Sequence, residues 1–236
     1  MVELLLEVQD LHAYYGTSYI LQGITLNVGK ECVAVLGRNG TGKTTLLRAI
    51  LGLKPPTWKG SIRFHGKEFM FMEPNDIANQ GIGYVPQGRR LFPSLSVDEH
   101  LRLLYRKGEG GGTWTPDAIY GLFPALDKRR SISGTRLSGG EQQMLAIGRA
   151  LVTNPSLLVM DEPSEGLSPL VVQHMTQIFR RLTDAGIALL LVEQKLSVTD
   201  EVADRVYVMV TGRIVHEASG KAFAADDESR RQHLGV

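Results

Sequence analysis

Cysteine is all but absent from this 236-residue chain. The single one, Cys32, sits in an apolar run beside Val33 and Val35. No intrachain disulfide framework is possible, and the thiol reads as a small buried hydrophobe in a reducing, cytosolic compartment. Long apolar runs are missing as well. The longest, such as 187–192, fall far short of the roughly 20 residues that cross a bilayer, so the chain is not expected to span a membrane by itself. The opening Met1-Val2-Glu3-Leu4-Leu5-Leu6-Glu7 has an early acid and no basic stretch, which argues against a secretory signal. Neither sign of charge dominates: a net charge of +1 with 22% charged residues offers no field suited to nucleic acid or another polyanion. Internal repeats and sustained heptads are also lacking. What remains is an ordinary globular composition, 43% hydrophobic, enough for one large domain over 1–236.

Within that length the pattern alternates. Strands are expected over 4–8 and 20–28, around Tyr14-Tyr15-Gly16, and again over 32–36, 61–64 and 82–85. A helix is expected over 44–51, ended by Gly52 and Pro55-Pro56. From about 88 to 151 the chain reads as helical, most clearly over 97–105 and 141–151, with the glycine-rich stretch 108–112 as a surface loop between them. The last third gives strands at 157–160, 188–192, 206–209 and 213–217 and a helix over 170–185. Strands alternating with helices predict an α/β fold with a mainly parallel core sheet. The leading strands predict an added antiparallel sheet, and the helices of 88–151 an insertion in the core.

The chemistry begins at Gly37-Arg38-Asn39-Gly40-Thr41-Gly42-Lys43-Thr44, followed by Thr45, which lies between an apolar strand and a helix. This is a complete phosphate loop. Its glycines let backbone N–H groups converge on phosphate oxygens, and the helix N-terminus adds partial positive charge. Lys43 can reach the β and γ phosphates, and the Thr44 hydroxyl can bind Mg²⁺. A second strand, Leu157-Leu158-Val159-Met160, ends in Asp161-Glu162. Buried in a parallel sheet, it would deliver both acids to the C-terminal edge, where such sheets bind ligands. Asp161 is then placed to hold Mg²⁺, and Glu162 to polarise an attacking water as general base.

Leu137-Ser138-Gly139-Gly140-Glu141-Gln142-Gln143 narrows the class further. A serine hydroxyl and two glycine N–H groups opening a helix make a second anion site. The sequence resembles the signature of ABC ATPases, the ATP-hydrolysing subunits of ABC transporters. The resemblance covers nearly the whole chain and implies ATP and Mg²⁺ as cofactors. It also implies that Ser138, Gly139 and Gly140 of one cassette close over the ATP held by another, packed head to tail. By the same resemblance Tyr15 is the residue that stacks on adenine, with Tyr14 as competitor. Gln87, after Gly83-Tyr84-Val85-Pro86, resembles the family's glutamine loop, which implies a link from the Mg²⁺ site to the helical insertion and the membrane partner.

Two positions depart from the family. Ser168 stands where the segment after the acids usually has aspartate, and Gln194 stands where a switch histidine is usual. None of His12, His65, His100, His174, His216 and His233 lies at that position, and all read as surface or core residues.

The stretches 81–93, 137–150 and 161–172, the Glu193-Gln194 pair and the ending Arg230-Arg231-Gln232-His233-Leu234-Gly235 resemble the ATPase subunits of branched-chain amino acid importers, with urea and amide importers closely related. The partners so implied are integral membrane permease subunits, a second ATPase subunit and, indirectly, a periplasmic or extracellular solute-binding protein, with the chain peripheral on the cytoplasmic face. A DNA-repair or ribosomal ABC ATPase fits less well. Gly37 and Leu137 are too close to enclose a long coiled coil, and each motif occurs once. Gln194 and Ser168 lean toward a scaffold that binds ATP but barely hydrolyses it; Glu162 weighs against that.

Overall fold

A computed structural model describes residues 4–70, 72–106 and 112–235. Strand β1 (Leu6–Tyr15) pairs with β2 (Ser18–Val28) in a hairpin, and β3 (Cys32–Leu36) runs into helix α1 (Lys43–Ile50). Next come β4 (Thr57–Phe64), the short β5 (Lys67–Glu68), α2 (Pro74–Asn79) and β6 (Ile82–Val85). Helices α3 (Val97–Leu104), α4 (Pro116–Leu122), α5 (Pro124–Asp127) and α6 (Gly139–Leu151) follow. The rest is β7 (Leu157–Asp161), α7 (Pro169–Asp184), β8 (Ala188–Glu193), α8 (Leu196–Val202), β9 (Arg205–Val210), β10 (Arg213–Ser219), α9 (Gly220–Ala224) and α10 (Asp227–Leu234).

Two sheets result. The first has the order β2-β1-β4-β5 and is antiparallel throughout. The second has the order β10-β9-β3-β8-β7-β6, parallel except for the β10 edge. Every residue of β3, β7 and β8 is buried, the near-continuous apolar run of strands covered on both faces. Their side chains still alternate. Leu158, Met160, Leu189 and Leu191 join α3–α7 in one core, while Leu157, Val159, Leu190 and Val192 join α1 and the antiparallel sheet in another.

The fold class read from the sequence is the one observed, and the differences lie in element lengths. The first strand runs on to Tyr15 and the fourth starts at Thr57, because the two pair across the antiparallel sheet. Helices α2, α8, α9 and α10 were not anticipated, while α4 and α5 fall within the stretch 88–151 that was expected to be helical. The unanticipated ones are short, and α10 buries no residue, so no apolar stripe announces it. Cys32 is buried, as expected. Of the glycine-rich stretch 108–112, only Gly112 belongs to the described residues.

Because β8 lies between β3 and β7, the loops leaving the C-terminal ends of these three strands meet. The register sets Leu36 opposite Glu193 and Asp161 opposite Val192. The phosphate loop, the paired acids and the Glu193-Gln194 turn therefore share one edge of the sheet.

Candidate nucleotide site

The phosphate loop bends where only glycine serves. Gly40 and Gly42 have φ of +81° and +105°, and a Cβ on Gly37 would lie 2.6 Å from the Met209 carbonyl oxygen. Gly42 caps α1, no side chain accepts a hydrogen bond at the cap, and the first turn holds no acid. A helix start of this kind can receive an anion through its leading N–H groups and dipole. The Lys43 side chain is buried and curls back over the loop. Its Nζ donates to the carbonyl oxygens of Gly37 (2.8 Å) and Arg38 (3.2 Å) and pairs with Glu162 Oε1 at 3.1 Å.

Asp161 closes β7 and is 2% exposed. Its Oδ1 accepts from the Thr44 hydroxyl at 3.2 Å, while its Oδ2 is buried with no hydrogen-bond partner. Burial pushes the Asp161 carboxyl up to about 6. The Thr44 hydrogen bond opposes that rise and neighbouring Glu162 adds to it. A hydroxyl beside a carboxylate oxygen with no partner is a hard-oxygen donor set of the kind Mg²⁺ takes. No group of three or more His, Cys, Asp and Glu side chains forms a metal cage among the described residues. Glu162 adopts φ +47°, rare for a residue with a long side chain, and its N–H donates to Val192 O at 2.9 Å.

These groups open onto a cavity of about 420 Å³ lined by Tyr15, Lys43, Thr44, Thr45, Gln87 and Glu162, with Asn39, Gly40 and Gly42 along one wall. Of the two adjacent tyrosines, Tyr15 faces this cavity, while Tyr14 stacks on Tyr19 with centroids 4.8 Å apart. Gln87 donates from Nε2 to Glu165 Oε2 at 2.9 Å.

The remaining candidates lie elsewhere. Gln194 lines a neighbouring cavity of about 510 Å³ with Gly37, Arg38 and the C-terminal Leu234 and Gly235. Ser138, Gly139 and Gly140 line neither. Ser138 caps α6 through a reciprocal box: its hydroxyl accepts from Glu141 N, and Glu141 Oε2 accepts from Ser138 N at 2.8 Å. The Arg89 guanidinium lies over Gly139, 3.3 Å from where a Cβ would stand. Ser168 precedes α7 and makes no side-chain cap bond.

Three side chains at this edge were given no role by the sequence reading. Glu165, the partner of Gln87, lines the cavity and shares a short turn with Glu162. Arg89 beside the signature helix is visible only in three dimensions. Glu193 carried a sequence signal, a single acid ending the otherwise apolar Ala188-Leu189-Leu190-Leu191-Val192.

A parallel sheet feeding a complete phosphate loop into a helix, with an acid pair on a nearby strand, defines a P-loop nucleoside triphosphatase. The family model described as ABC transporter matches residues 21–165, and the chain belongs to that family of ATP-hydrolysing transporter subunits. The high-affinity branched-chain amino acid transport ATP-binding protein BraG of Pseudomonas aeruginosa is 38% identical, with 98% of this chain and 100% of that protein aligned. The probable branched-chain amino acid transport ATP-binding protein LivF of Archaeoglobus fulgidus is 31% identical over 98% of this chain and 99% of its own length. An ATP-binding cassette of an ABC transporter, solved in its ADP conformation, superposes with a TM-score of 0.81 at 26% identity, covering 98% of this chain and 97% of that one.

Proposed function

We propose that this chain powers solute import through an integral membrane permease, with branched-chain amino acids as cargo, by hydrolysing MgATP held between two head-to-tail cassettes. The observation that carries this reading is the meeting of Tyr15, Lys43, Thr44, Gln87 and Glu162 around one cavity, with Asp161 bonded to Thr44. The relatives from P. aeruginosa and A. fulgidus support the cargo class; urea or amides, carried by related importers, are the alternative cargo. No described helix is long and apolar enough to cross a membrane, so the permease would supply the path. The chain would sit against it on the cytoplasmic face and meet a solute-binding protein only through it. One ATPase unit would span 1–236, with 88–151 as its helical insertion.

In this reading Tyr15 stacks on adenine, and the backbone of Gly37 to Thr45 cradles the phosphates. Phosphate oxygens draw Lys43 away from Glu162, which frees that carboxylate to take a proton from the attacking water. Thr44, Asp161 and Gln87 would hold Mg²⁺, which would neutralise phosphate charge and polarise the γ-phosphoryl group. Gln194 offers a neutral N–H to the γ-phosphate and positions it without taking a proton. Ser138, Gly139 and Gly140 close over the ATP of the facing cassette.

The test is phosphate release by the assembled transporter, driven by a leucine-loaded binding protein. Glu162→Gln is expected to abolish turnover. Gln194→Ala should lose about 10- to 150-fold, equivalent to about 1.5–3 kcal/mol for one donor to a charged group. Full activity in Gln194→Ala would remove it from the γ-phosphate. Equal and complete loss in both variants would sink the division of labour, and no stimulation by leucine would sink the cargo.

A further inference from the structure

Glu193 ends β8 with a side chain 1% exposed. A carboxylate at such a depth is unfavourable unless donors converge on it. Here they do. Oε1 accepts from Ser164 N at 3.0 Å, and Oε2 accepts from the Ser164 hydroxyl at 3.0 Å and from Gln194 N at 3.2 Å. Ser164 is fully buried, and its carbonyl accepts from Lys195 Nζ at 3.1 Å. The turn containing Ser164 is the one that carries Glu162 and Glu165, with Glu165 N donating to Glu162 O at 3.1 Å. One buried carboxylate therefore ties the turn bearing the proposed base to the backbone of the proposed γ-phosphate donor. Neither loop reaches the other through a side chain of its own catalytic candidate: Glu162 points to Lys43, and Gln194 lines the cavity beside Gly37.

We propose that Glu193 is a positioning residue for hydrolysis, a bracket fixing the Glu162 turn relative to Gln194 so that base and γ-phosphate contact hold one spacing. It rests on the assignment of Glu162 and Gln194 made above. ATP binding depends on the phosphate loop and Tyr15, none of which Glu193 bonds, so loosening the bracket should slow turnover and spare affinity.

The experiment is steady-state ATP hydrolysis by the purified full chain. Glu193→Gln keeps the shape but replaces one acceptor oxygen by an amide N–H₂ that faces a donor. Its kcat is expected to fall about tenfold or more, the order of one lost hydrogen bond to a charged group, with KM for MgATP within about twofold. Adding Gln194→Ala should cost less than the product of the single losses, since both changes act on one arrangement. Should Glu193→Gln fail to fold, Ser164→Ala, which deletes one hydroxyl, carries the same test through the same kcat-against-KM split. Wild-type kcat in the folded variant beside an inert Glu162→Gln overturns this inference alone. So does a parallel rise of KM with a lowered melting temperature, the mark of a merely structural role. Wild-type turnover in Glu162→Gln instead overturns the site assignment on which the inference stands.

Discussion

Asp161 shows what a single position at the end of a buried strand has to balance. Its carboxyl is raised from 3.8 to about 6 mainly by burial. A carboxyl raised on folding binds its proton more tightly in the native state. Wild-type stability therefore falls as pH climbs from about 4 to about 6 and is level above, where the group is ionised in both states. Asp161→Asn keeps an acceptor for Thr44 and cannot ionise. Melted without nucleotide and with a chelator, it should exceed wild type by up to about 3 kcal/mol at pH 8, and the gap should close toward pH 4. A gap that does not change with pH would deny the buried charge. At this scale the sequence was most readable where chemistry is local: Gly37 to Thr45 and Asp161-Glu162 are contiguous, and their flanks place them. The Glu193–Ser164 contact was not readable, because it joins positions 29 apart that meet only once β7 and β8 are paired.

Among the elements, α6 carries the signature at one end and much of the helical core along its length. Gly148 lies on its face toward α4, and a Cβ there would fall 2.6 Å from Ile119 Cγ2. Ile119 is fully buried and β-branched, so it cannot swing aside. Gly148→Ala gains about 1 kcal/mol of intrinsic helix preference but overpacks this crossing, a cost of about 1–3 kcal/mol or somewhat more. Urea denaturation should show a net loss of up to about 2 kcal/mol; a more stable variant would mean that α4 can retreat. The long apolar elements were legible because burial on both sheet faces writes an unbroken hydrophobic run. Helix α4 was legible in principle through Thr115-Pro116, a cap followed by proline at the first helical position. Helix α8, seven residues with β-branched Val198, Thr199 and Val202, has the propensity of a strand and is helical through its packing.

For the whole molecule, the separation of the two anion sites matters most. Ser138 to Gly140 line neither cavity that the phosphate loop borders, so in the proposed sandwich each chain would supply half of a site on each of two surfaces. Glu162→Gln leaves contacts to nucleotide in place while removing the proposed base. With MgATP its mass by light scattering should double, while the same variant with ADP should stay monomeric. A monomer at saturating MgATP would exclude a sandwich of two copies of this chain. The cargo is the least legible property in the sequence, for a physical reason: a subunit that never touches the solute has no side chain shaped by it.

Tyr15 belongs to the antiparallel sheet and the phosphate loop to the parallel one, and the cavity is bounded by both. A ligand that satisfies both ends must be as long as the gap between two separately built walls. Under the proposed assignment, tripolyphosphate would engage only the far wall and a bare nucleoside only the near one. Each alone forgoes the gain in effective concentration that comes from tethering two weak contacts. The cleft would then behave as a caliper, admitting its fuel by measuring the reach from ring to terminal phosphate.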